Sequence, residues 1–92
     1  MIYIGIDPGA SGALVALLPG ETVATPMPST LSDVYDWMKQ TVAESTQAHT
    51  SLYAVIEKVS GYIAGREAPG SAMFNFGKGY GALLMALCAA GI

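Results

Sequence analysis

Residues 2 to 7 alternate, with Ile2, Ile4 and Ile6 on one side and Tyr3, Gly5 and Asp7 on the other. This is the period-two pattern of a strand with one buried face. The connection Pro8-Gly9-Ala10-Ser11-Gly12 reads as a tight turn, and the apolar run Ala13 to Leu18 as a second strand. Pro19-Gly20 turns the chain again into a short third strand, Thr22 to Thr25, stopped by Pro26 and Pro28. The first quarter of the chain therefore predicts a three-strand antiparallel meander.

Thr30 stands in N-cap position with Asp33 three residues on, and Leu31, Val34, Trp37, Met38 and Val42 recur at helical spacing. An amphipathic helix packed on one side is expected. Ser45 to Ser51 reads as a polar loop. Leu52 to Ile56 is a continuous apolar run of strand length that ends at Glu57, which predicts a buried central strand with a carboxylate at its tip. Lys58 to Ser71, rich in glycine and polar residues and holding the only arginine, Arg66, reads as a mobile surface loop. From about Ala72 to Ala90 a second helix is apolar on nearly every side, with Gly91 as its stop, so burial by more than one neighbour is expected.

The crossover through the first helix should be right-handed and lay strand four parallel to strand one. The sheet order is then 3-2-1-4, with room for a fifth strand beyond strand four. Asp7 and Glu57 would stand at the C-terminal tips of strands about 4.8 Å apart, close enough to share a divalent cation. Two unit charges about 5 Å apart repel by roughly 3 kcal/mol at an effective dielectric of about 20, and a cation relieves that repulsion. Magnesium suits hard oxygen ligands, with manganese as a substitute. The same two acids also read as a turn former and an ordinary surface residue.

Composition narrows the setting. The 92 residues are 52% hydrophobic and 12% charged, with seven acids against four bases and a net charge of -3. That excludes intrinsic disorder and argues against a protein that grips nucleic acid mainly by charge. A single domain this short buries only roughly two-thirds of its unfolded surface, so a partner or a further segment would add to its stability. One cysteine, Cys88, and one histidine, His49, leave no internal disulfide and no zinc cluster, which fits a reducing cytoplasm. No signal-peptide pattern opens the chain, and the uncharged stretch from Gly79 falls short of the about 20 residues of a membrane span.

The pair Ile4-Gly5-Ile6-Asp7-Pro8-Gly9 and Val55-Ile56-Glu57-Lys58-Val59 resembles the first two catalytic motifs of RuvC-type Holliday junction resolvases, within the ribonuclease H-like superfamily. Phe74-Asn75-Phe76-Gly77-Lys78-Gly79-Tyr80-Gly81 is similar to the glycine-containing helix that follows the second motif. The resemblance implies an α/β, ribonuclease H-like mixed sheet with two helices, of which this chain spans the N-terminal portion. It implies a homodimer, joined through the helix Ala72 to Ala90, that cuts branched, four-way DNA by magnesium-assisted hydrolysis in recombination and repair. Asp7 and Glu57 match the first two of the family's four metal-binding carboxylates; the other two lie on a later helix that this sequence does not contain.

Lys58, Arg66 and Lys78 are candidate phosphate contacts, though three cations also suit any ordinary surface. The family's junction-opening aromatic falls at Ser60 here, and a glutamine is familiar where Lys58 stands. Tyr62 is the nearest substitute, as a base-stacking residue or as simple loop packing. Glu67 could approach a metal from the loop. Gly77 and Gly81 share a helix face and permit close packing. Cys88, among apolar neighbours and with no nearby base, reads as core.

An actin-like or sugar-kinase-type ATP-binding domain is the rival reading, since it too begins with a strand, an acid and a glycine turn whose amides hold phosphate. Pro8 directly after the acid and a second acid ending strand four favour the nuclease. A catalytically inactive dimeric scaffold is the third reading. Gly77-Lys78-Gly79-Tyr80-Gly81 fits neither the Walker A order nor the dinucleotide fingerprint, so no nucleotide site is expected there.

Overall fold

The computed structural model describes residues 1–57 and 70–92. Its elements follow in the order β1 (Ile2–Asp7), β2 (Ala13–Leu18), β3 (Glu21–Pro26), α1 (Leu31–Gln47), β4 (Leu52–Ile56) and α2 (Gly70–Ala90). They form an α/β fold with a mixed four-strand sheet of order β3-β2-β1-β4. β1 pairs antiparallel with β2, β2 antiparallel with β3, and β1 parallel with β4.

Strand alternation sorts the sheet into two faces. Ile2, Ile4 and Ile6 are buried, as are Leu14 and Ala16, which pair in register with Ile6 and Ile4. Both helices cover this face: Val34 and Met38 from α1 and Leu83 and Leu87 from α2 join Ile4, Ile6 and Leu14 in one core. Side chains this fully buried contribute roughly 1.5–3 kcal/mol each. No helix among the described residues covers the opposite face, where Tyr3, Leu17, Tyr53 and Val55 are exposed.

Local chemistry sets the helix ends. Thr30 caps α1, its hydroxyl accepting from the Asp33 N–H at 3.1 Å. At the other end His49 adopts φ 52°, the Thr50 N–H donates to the Ser45 carbonyl and the His49 N–H to that of Thr46. This is a Schellman stop made with histidine rather than glycine. α2 ends in the same way with Gly91, as expected, the Ile92 N–H reaching the Leu87 carbonyl and the Gly91 N–H that of Cys88.

Several expectations are corrected. β4 is an edge strand of the described sheet, not a buried central one, and Val55 on it is 66% exposed. Its apolar run serves one half-buried face against the core and one open face. α2 is not buried all round: only Leu83 and Leu87 are buried, because it lies on one face of the sheet with α1 at its side. Cys88 is exposed, not core, since it falls on the outer side of α2. Ser45, Thr46 and Gln47 belong to α1 instead of a loop; Ser45 is buried there, its hydroxyl donating to the Val42 carbonyl at 2.9 Å. Leu31, expected on the packed side of α1, is 62% exposed in its first turn. Gly70 and Ser71, assigned to the long loop, open α2; the rest of that stretch lies outside the described residues.

Candidate metal centre

Asp7 is the last residue of β1, and Glu57 directly follows β4. The parallel register runs from Ile2 opposite Leu52 to Ile6 opposite Ile56, so each acid directly follows the last paired residue of its strand. Their sidedness follows from the residues before them. Tyr3 and Tyr53, partners in register, stack with ring centroids 5.9 Å apart on the open face. Asp7 and Glu57 stand four residues further along each strand, an even number, and both are exposed. Two carboxylates thus share one face at one end of the sheet, on the side away from the helices.

Neither acid has an ion-pair partner among the described residues; the ion pair there joins Lys39 to Asp36 on α1. Nor does a cluster of three or more histidine, cysteine, aspartate or glutamate side chains form among them. Two adjacent carboxylates open to water fit a magnesium ion, which is commonly held by one or two carboxylates and completes its shell with water and substrate phosphate.

The backbone after Asp7 is tightly constrained. Gly9 has φ +106°, a conformation side-chain-bearing residues rarely adopt. The Gly12 N–H donates to the Gly9 carbonyl at 3.0 Å, and the Met27 N–H donates to the Gly12 carbonyl at 2.9 Å. A β-carbon on Gly12 would collide with the Asp7 carbonyl oxygen. The glycine turn therefore folds back on the residue that carries the acid.

Of the proposed DNA contacts, Lys58, Tyr62 and Arg66 lie outside the described residues, as does Glu67. Lys78 is exposed on α2. It stands four residues from Phe74 and seven from Met85, both exposed, on the solvent side of the helix layer. The structure therefore brings Asp7 and Glu57 together but does not bring Lys78 onto their face. Spacing along the chain did not disclose the cavity of about 640 Å³ on the helix side of the Asp7 turn, bounded by Gly9, Ala10, the residues entering α1, and Asn75 and Phe76 of α2. Gly77 and Gly81, expected to permit close packing, are exposed and have nothing within 4 Å of where a β-carbon would stand.

Comparison with models of known protein families finds no match to this chain, and comparison with curated protein sequences finds none either. Among the described residues no helix is long and apolar enough to cross a membrane.

Proposed function

We propose that the chain is the N-terminal portion of a ribonuclease H-like, metal-dependent endonuclease of the junction-resolving kind. The observation that supports this reading is the β1–β4 parallel register, whose last pair, Ile6 and Ile56, directly precedes Asp7 and Glu57, both exposed. The order of elements and the positions of Asp7 and Glu57 at neighbouring strand ends support it.

Asp7 and Glu57 would hold magnesium, which when bound supplies charge stabilisation to a phosphodiester and activates water for its hydrolysis. The two acids bind and orient; their exposure leaves the remaining directions free for water and a phosphate of branched DNA. Lys58 and Arg66 are the proposed phosphate contacts and Tyr62 the proposed stacking residue; Lys78, on the far side of the helix layer, is left out of that set. The exposed outer side of α2, with Leu84 and Met85, is the proposed contact between two copies.

Titration of the whole chain with Mn²⁺ or Mg²⁺ tests the site. Asp7→Asn and Glu57→Gln are each expected to weaken binding at least about tenfold. Equal affinity in wild type and both variants would end the metal-site reading. Cleavage of a four-way DNA junction tests the activity, and ATP binding without junction cleavage would favour the kinase-like alternative.

A further inference from the structure

Asp7 is held by its strand on one side and by the turn 8–12 on the other, so what fixes the turn also fixes the acid. Within the turn, the Gly9–Gly12 hydrogen bond and the approach of Gly12 to the Asp7 carbonyl close the loop on itself. On its helix side the turn stands beside the cavity of about 640 Å³, and one side chain reaches it there. The Phe76 ring faces Gly9: a β-carbon at Gly9 would stand in ordinary contact with it, 3.5 Å from Cε2 and 3.9 Å from Cδ2, with no other described side chain within 4 Å.

Gly9 is the turn's most permissive residue, at φ +106°, and without a neighbour it would be free to shift. Pro8, between Asp7 and Gly9, is buried and has its φ held near about −65° by its ring. Fewer backbone rotations are therefore left between Gly9 and Asp7 to absorb a displacement of Gly9. Phe76 is 39% exposed and stands outside the buried core cluster, so its ring borders the turn rather than the core.

We infer that Phe76 is a positioning residue for the Asp7–Glu57 cation site: its ring, facing Gly9, limits how far the turn after Asp7 can move and so helps to fix the acid. This inference rests on the metal-site reading given above. It is specific to one ring on α2 and involves no contact between Phe76 and the ion.

The test uses the full chain with Phe76→Ala, Phe76→Tyr and Phe74→Ala, Phe74 being 70% exposed on the same helix. Two quantities are measured: hydrogen-exchange protection of the Gly12 amide in metal-free protein, and Mn²⁺ affinity. Phe76→Ala is expected to lower the Gly12 protection about tenfold and the Mn²⁺ affinity about tenfold. Phe76→Tyr, which keeps the ring, is expected to restore both, and Phe74→Ala to change neither. If Phe76→Ala does not fold, Phe76→Leu, which keeps apolar bulk without a ring, takes its place in the same comparison.

Wild-type values in Phe76→Ala, or equal losses in Phe76→Ala and Phe74→Ala, overturn the positioning role while Asp7→Asn still shows whether the metal site exists. A Phe76→Tyr variant as impaired as Phe76→Ala overturns it as well. Equal Mn²⁺ affinity in wild type and Asp7→Asn removes the site itself, and the role of Phe76 with it. A Gly12 amide unaffected by loss of the ring counts against the inference without reference to any metal.

Discussion

Two glycines in β1 and its turn look alike in the sequence and differ in what surrounds them. Gly12 has the Asp7 carbonyl oxygen where its β-carbon would be, whereas nothing lies within 4 Å of that position at Gly5. Gly12→Ala must therefore push the turn off the end of β1. We expect it to cost about 1–3 kcal/mol, seen as a lower thermal midpoint, and to weaken Mn²⁺ binding by displacing Asp7. Gly5→Ala adds a side chain to the open face of a strand interior and is expected to change stability by less than about 1 kcal/mol, on the stabilising side. Equal melting temperatures for the two variants would show that the close approach at Gly12 is unimportant.

At the level of elements, α1 is anchored at both ends by bonds from the backbone and its neighbours. Its first turn depends on the Thr30 hydroxyl, and its last on the left-handed His49. Thr30→Ala leaves the Asp33 N–H without that acceptor and is expected to cost about 1 kcal/mol in chemical denaturation, with little change in m-value. Ser and Asp at position 30 should restore most of the loss; full stability in the alanine variant would count against a capping role. The polar residues Thr41 and Ser45 remain inside α1 although buried, because their hydroxyls donate to the Trp37 and Val42 carbonyls. Ser45 and its neighbours Thr46 and Gln47 read as loop from polarity alone, which does not reveal a hydroxyl bonding back along its own helix.

The described residues expose apolar surface on two sides: the open sheet face around Tyr3, Tyr53 and Val55, and the outer side of α2 with Leu84 and Met85. Such surface in a small chain points to partners. If two copies meet through α2, Met85→Glu, which places a charge on an exposed position, should convert a dimer to a monomer in sedimentation without lowering the thermal midpoint of the monomer. A wild-type chain that sediments as a monomer, or a variant that stays dimeric, would exclude α2 as the contact.

Periodicity and spacing already located β1, β2 and β4 residue for residue. The right-handed crossover rule set β4 parallel to β1, which is why the neighbourhood of Asp7 and Glu57 could be read in advance. These features follow from local backbone geometry and from which face of a strand is apolar. Packing alone determined that Val55 and Cys88 face outward, that α2 buries little beyond Leu83 and Leu87, and that Phe76 faces Gly9. Hydrophobicity states what a side chain gains from burial, but whether it is buried, and against which residue, depends on the surfaces that meet once the chain has closed on itself.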